Sequence, residues 1–273
     1  MESYSIEDIF EREKADLLLG LIPQEKPIAF ILGGQPASGK SGLAKAILRQ
    51  FPDKDFLFVN GDIYREFHPQ AKELIKYADR YSTETQSFSN FFTEGLIQEA
   101  LIHKYNIIVE GTMRNPDIPL RTALDFSEKG FKIEVFAIAA PALFTELGFY
   151  LRYQEEIDFQ GYGRLADKTS HDKAVEGLLH SLDRLYTEKR VDKIHLYNYQ
   201  AEKHLITFSL DQQWNIAHLP SKEVVKAREQ QYQDNVICSQ IIGRAYAMLP
   251  RMKEPIKTIV EELISKINKV SHL

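Results

Sequence analysis

One cysteine, one tryptophan and no long hydrophobic run distinguish this 273-residue chain, and each scarcity removes a class of protein. With Cys238 alone there is no intrachain disulfide and no cluster of thiolate metal ligands. A membrane-spanning helix needs roughly 18 or more consecutive apolar residues, and the nearest approach, Val135 to Leu143, reads better as a buried strand. Residues Met1 to Lys14 carry Glu2, Glu7, Asp8, Glu11 and Glu13, with no basic start followed by an apolar stretch, so no secretory leader is expected. A formal charge of −5 and a pI near 5.9 supply no overall drive toward nucleic acid. These absences predict a cytoplasmic protein with no membrane and no nucleic-acid partner.

Short β-branched and aromatic runs recur at Ile28 to Leu32, Phe56 to Val59, Ile107 to Val109, Ile133 to Ala139 and Ile194 to Tyr197. Helical patterns separate them, as in Gly42 to Gln50 and Asn90 to Lys104, where Phe91, Phe92, Leu96, Ile97, Ala100 and Leu101 follow a 3.6-residue period. Such alternation predicts an α/β fold, a largely parallel sheet flanked by helices. After Leu210 no strand is evident. Two helical stretches, Ser221 to Met248 and Glu254 to Val270, are interrupted near Pro250 and Pro255. The expected organisation is a main domain over 1–210 with a short N-terminal helix, then a helical extension over 211–273.

The sharpest signal is Gly34-Gln35-Pro36-Ala37-Ser38-Gly39-Lys40-Ser41, which fits GxxxxGK[ST] between an apolar strand and a helix. Gly34 and Gly39 let backbone N–H groups wrap phosphate oxygens, Lys40 brings a cation to the β- and γ-phosphates, and Ser41 can ligate Mg²⁺. A P-loop NTPase or kinase is expected, using ATP or GTP with Mg²⁺.

Two acids stand at strand ends that open on the same crevice: Asp62 after Phe56 to Asn60, and Glu110 after Ile107 to Val109. Asp62 can deprotonate a hydroxyl, help hold the metal, or merely serve a turn or helix cap; Glu110 can bind acceptor hydroxyls, act on the metal, or be an ordinary strand-end acid. Arg152 and Arg164 flank Gln154 to Gly163, a polar stretch that reads as a mobile lid able to bring positive charge onto a transferring phosphate.

Taken together these residues resemble the zeta toxin family, the kinase half of epsilon/zeta toxin–antitoxin systems. The matching segments are Gly33 to Ser41, Asn60-Gly61-Asp62 with His68-Pro69, Ser89-Asn90 with Thr93-Glu94, and Val109-Glu110-Gly111-Thr112 with Arg114, Pro119 and Thr122. Arg152-Tyr153, Arg164 with His171-Asp172, and Leu196-Tyr197-Asn198 complete the pattern. The resemblance implies a kinase that phosphorylates the 3′-hydroxyl of the aminosugar in UDP-N-acetylglucosamine or a related UDP-sugar, blocking peptidoglycan synthesis. It also implies an antitoxin partner that covers the nucleotide site. Carried over, Lys40 and Ser41 hold triphosphate and Mg²⁺, and Asp62 is the general base. Glu94, Glu110, Thr112, Arg114 and Thr122 line the UDP-sugar site, while Arg152 and Arg164 clamp the transferring phosphate. Ala37 replaces a glycine common in the family's loop, a change expected to be harmless, and Asn115 stands where threonine is expected. The competing readings are a zeta-like kinase with another nucleotide acceptor and a nucleotide-dependent switch or ATPase without acceptor chemistry.

Overall fold

The structure, a computed structural model, describes residues 5–271; the segment Met1 to Tyr4 lies outside the described residues. Six strands are β1 (Ile28–Gly33), β2 (Leu57–Asn60), β3 (Ile107–Glu110), β4 (Lys132–Ile138), β5 (Lys193–Tyr197) and β6 (His204–Ser209). They form one sheet in the order β2-β3-β1-β4-β5-β6. The first five run parallel, and β6 closes the edge antiparallel to β5. Ile31 and Leu32 of β1 sit opposite Val109 and Glu110 of β3, which brings Glu110 level with the start of the glycine loop.

The helices are α1 (Ile6–Leu17), α2 (Lys40–Leu48), α3 (Gly61–Tyr64), α4 (Ala71–Leu74), α5 (Ala78–Glu84), α6 (Gln86–His103), α7 (Asp117–Glu128), α8 (Ala142–Gln160), α9 (Lys168–Thr187), α10 (Pro220–Tyr232), α11 (Asn235–Met248) and α12 (Ile256–Ser271). One sheet face is covered by α1, α6, α7, α9 and α10 through residues such as Phe10, Phe92, Phe126, Leu182 and Val224. The other is covered by α2, α8, α11 and α12 through Leu43, Phe144, Leu147, Ile241 and Leu263. Continuously apolar strands follow from this double burial, because neither face meets water. Among the described residues no helix is long and apolar enough to cross a membrane.

Four elements differ from the sequence reading. Gln154 to Gln160 continues α8 as helix, because nothing in it breaks the 3.6-residue pattern until Gly161 ends the helix in the left-handed region at φ 84°. Val135 to Leu143 is a strand only as far as Ile138, and α8 begins at Ala142 beyond Pro141. The pattern over Ser221 to Met248 is two helices, restarted at Asp234, whose carboxylate accepts from the N–H groups of Val236 and Ile237. β6 was not among the expected strands, because only one side of its edge position is buried: Phe208 is buried whereas His204 and Leu205 are exposed.

Candidate active site

The glycine loop runs from the end of β1 into α2. Gly39 adopts φ 105°, and a side chain there would place its Cβ 2.5 Å from Gln200 Cα, so only glycine fits at this close approach. Gln200 in turn donates its N–H to Ser38 O at 2.9 Å, tying the turn after β5 to the loop. Ala37 also takes a left-handed conformation, φ 61°. An alanine there carries a backbone cost of about 1 kcal/mol that the family's glycine avoids, so the replacement is not free. Gln35 is fully buried; its amide donates to Ala140 O at 2.8 Å and to Thr145 Oγ1 at 3.3 Å. Thr145 meets buried His171 Nε2 at 2.8 Å, and His171 Nδ1 meets Asp172 at 3.0 Å. Burial holds the His171 pKa below the ordinary value, although Asp172 opposes the shift. This chain of contacts anchors the loop to α8 and α9.

Lys40 Nζ donates to Gly34 O at 2.7 Å and Gln35 O at 3.2 Å, folding its ammonium over the loop. Burial depresses its pKa; the charges of Glu110 and Asp62 act against that shift and Arg152 adds to it. Asp62 lies in the first turn of α3, and the Asn60 side chain caps that helix by accepting the Asp62 N–H. One carboxylate oxygen of Asp62 receives Arg164 Nη2 at 2.7 Å and the other receives Arg65 Nε at 3.2 Å. Burial pushes the Asp62 pKa up, but Arg164 and Arg65 outweigh it and hold the carboxyl below its ordinary value. Glu110 moves the opposite way: burial and the Asp62 charge raise it against the pull of Lys40. Burial and the like charge of Arg164 lower the Arg152 pKa.

Four cations, Lys40, Arg65, Arg152 and Arg164, therefore face two carboxylates, Asp62 and Glu110, on a chain of net negative charge. Within this group Ser38 Oγ, Glu110 Oε2, Arg152 Nε and Arg164 Nε are buried without hydrogen-bond partners. Orphaned buried polar atoms are costly, and donors and acceptors gathered beside a glycine loop match a polyphosphate and the hydroxyl that attacks it.

Among the described residues, the other expected acceptor residues make no hydrogen bond to this group. Thr112 and Arg114 belong to the loop after β3, where Arg114 donates to Ser170 Oγ at 3.3 Å. Thr122 spends its hydroxyl on Ile118 O within α7, at 3.0 Å, and Glu94 is exposed on α6 without a hydrogen bond or ion pair among the described residues. Ser41 is the second residue of α2 and is exposed. Two contributors escaped sequence reasoning. Arg65 carries the i,i+3 spacing from Asp62 that signals a helical ion pair. Gly177 of α9 presses against the 112–116 loop, where an added Cβ would clash with the Arg114 backbone.

The Zeta toxin family profile matches residues 15–211. The chain belongs to the zeta toxin family. Among curated zeta toxins, the Toxin zeta of Enterococcus hirae is 32% identical over 201 residues, spanning 71% of this chain and 70% of that relative. Toxin PezT of Streptococcus pneumoniae serotype 4 is 29% identical over 188 residues, or 68% of this chain and 74% of the relative. A solved structure from the PezAT chromosomal toxin–antitoxin system of S. pneumoniae superposes with a TM-score of 0.75 at 20% identity, covering 91% of this chain and 99% of that one. The AvrRxo1-ORF1:-ORF2 structure with ATP gives 0.52 at 18% identity, over 96% and 80%. These likenesses establish a P-loop kinase-like zeta-toxin fold.

Proposed function

We propose that this protein transfers the γ-phosphate of ATP to the 3′-hydroxyl of the aminosugar in UDP-N-acetylglucosamine or a related UDP-sugar, as a toxin held in check by an antitoxin. The observation that carries the reading is the convergence of Lys40, Asp62, Glu110, Arg152 and Arg164, with four buried polar atoms that have no hydrogen-bond partner among them and Ser38.

In this mechanism Ser38 and the loop N–H groups receive the phosphates, and Lys40 swings from its loop carbonyls to bridge the β- and γ-phosphates. Asp62 orients the acceptor hydroxyl and takes its proton. The new P–O bond forms as the bond to the β–γ bridging oxygen breaks, and ADP departs. Asp62, with a depressed pKa, is a weak base, suited to accepting the proton late in a loose transition state. Arg152 and Arg164 neutralise charge on the equatorial oxygens, and Glu110 accepts a hydroxyl of the sugar. Among the described residues no cluster of three or more His, Cys, Asp or Glu could hold a metal by itself. Mg²⁺ keeps several waters and is held largely by substrate phosphates, and Ser41 would be the protein side chain that holds it here. When bound, it would neutralise charge on the phosphates.

The test is mass spectrometry of a UDP-sugar panel after incubation with ATP and purified protein, with Lys40→Ala alongside. A phosphorylated UDP-sugar made by the wild type and absent with Lys40→Ala is expected. ADP release with no phosphorylated sugar would sink the acceptor assignment.

A further inference from the structure

We propose that Arg65 is a positioning residue for phosphoryl transfer, a fixed anchor that keeps the Asp62 carboxylate aimed while Arg164 leaves it for the phosphate. The proposal rests on the kinase reading above and adds a division of labour between two arginines that share one carboxylate.

The two guanidinium groups differ in how they are held. The Arg65 side chain is only 8% exposed. Beyond Asp62, its Nη1 donates to Ser82 O at 2.7 Å and Thr85 Oγ1 at 3.1 Å, and its Nη2 donates to Gln86 Oε1 at 2.9 Å. Every nitrogen of the fork is engaged, so the group cannot turn away without stranding buried partners. Arg164 is the more accessible of the two, 26% exposed, with Nη2 on Asp62 and its buried Nε unpartnered. An arriving polyphosphate offers Arg164 a stronger bidentate partner than one shared carboxylate oxygen. Once Arg164 moves, Arg65 is the only hydrogen-bond donor among the described residues left on the Asp62 side chain, which is 50% exposed and carried on a four-residue helix.

Arg65 also joins the base to the acceptor side. Gln86, which accepts from Arg65, donates to Asn90 Oδ1 at 2.7 Å, one turn before Glu94 on α6. The same guanidinium thus sets the carboxylate relative to the helix expected to face the sugar. The charged and titratable groups facing Asp62 are Arg65 after α3, Arg164 after α8, Lys40 of α2, Arg152 of α8, Glu110 of β3 and the Tyr81 phenol of α5. A merely structural Arg65, stapling α3 to the α5–α6 junction, would affect folding and leave the kcat of the folded protein untouched.

The experiment compares wild type, Arg65→Gln and Arg65→Lys in full-length protein, measuring thermal midpoint, kcat, KM for ATP, and kcat against pH. A misplaced base costs on the order of 10²-fold. Arg65→Gln should therefore lose about that much kcat with KM for ATP unchanged, and its acid limb should move to higher pH as Asp62 loses a cation. Arg65→Lys, which keeps the charge but not the fork, should fall between. Wild-type kcat and an unmoved acid limb in folded Arg65→Gln overturn the proposal; if that variant does not fold, the same result in Arg65→Lys overturns it. Should the wild type phosphorylate no UDP-sugar, the kinase reading fails first. The anchor is then tested by ¹³C NMR titration of the Asp62 carboxyl, assigned with Asp62→Asn, and an identical midpoint in wild type and Arg65→Lys or Arg65→Gln refutes it.

Discussion

At the scale of single residues, charge and its burial decide most of what this site can do. Arg152 and Arg164 stand together near Asp62, yet only Arg164 is bonded to it. Arg152→Ala should lower turnover by on the order of 10³-fold with nucleotide affinity nearly intact, as expected for a group acting on the transition state. Arg164→Ala should lower turnover and in addition raise the pH of the acid limb, because Asp62 loses its strongest cationic partner. Turnover profiles of the two variants from pH 4 to 8 separate them, and identical acid limbs would contradict the pairing seen here. Away from the site, Glu134 of β4 bonds His195 at 3.0 Å and Lys132 at 2.8 Å. Burial acts to raise its pKa, but these partners bring it down to about 2 from 4.5. A depressed carboxyl stabilises the fold fully above its unfolded pKa, and the contribution drains away as pH falls from about 4.5 toward 2. Glu134→Gln should therefore cost on the order of 3 kcal/mol at pH 7 by urea unfolding, and progressively less below pH 4. Of the residues that gather here, loop motif and strand-end position single out Lys40, Asp62 and Glu110 in the sequence, whereas Arg152 and Arg164 are singled out only by flanking a polar stretch and by the family resemblance. Arg65 is not singled out, since its role appears only when α3 turns it back toward Ser82 and Thr85.

Between residue and fold, the elements show which local signals survive packing. β1, the glycine loop and the start of α2 follow the sequence pattern closely, because steric rules for loop glycines act locally. The stretch expected as a lid is mostly helix, because polarity alone does not separate a loop from a solvated helix. Its residues extend α8, and Arg164 follows after the Gly161 break. β6 was hidden because an edge strand buried on one side mixes polar and apolar residues. α9 shows an element acting through a missing side chain. Its Gly177 lies so close to the Arg114 carbonyl that any Cβ there would collide, while Ser181 Oγ donates to Met113 O at 2.7 Å. In an ordinary helix Gly→Ala gains roughly 0.5–1 kcal/mol. Here Gly177→Ala should instead displace the 112–116 loop, raising KM for the acceptor while leaving ATP binding unchanged. Calorimetric ATP titration beside acceptor kinetics checks this, and unchanged acceptor KM would detach that loop from the sugar site.

Across the whole molecule, α8 is the link between the site and the C-terminal helices. Arg152 lies on its inner reach, and α11 and α12 cover its other side through Ile241, Ile242, Val260, Leu263, Ile264 and Ile267. Each of these buried side chains contributes about 1.5–3 kcal/mol, and the four from α12 together rival the ~5–15 kcal/mol that stabilises a typical domain. A chain ending at Arg251 should therefore lose cooperative thermal unfolding and ATP binding together; retention of both would show that the site stands without this support. The strand order has a further consequence for the newborn chain. β1 carries the phosphate loop in mid-sheet, yet its partners arrive much later: Ala29 pairs with Ile107, and Ile28 with Lys132. At about 5–20 residues per second of synthesis, the loop emerges from the ribosome several seconds before β3 and longer before β4. Contacts so distant in sequence form slowly, and the arginine at 164 follows later still. An emerging chain therefore lacks a complete phosphate-side site until the strands that flank β1 and the segment carrying Arg164 have all been made.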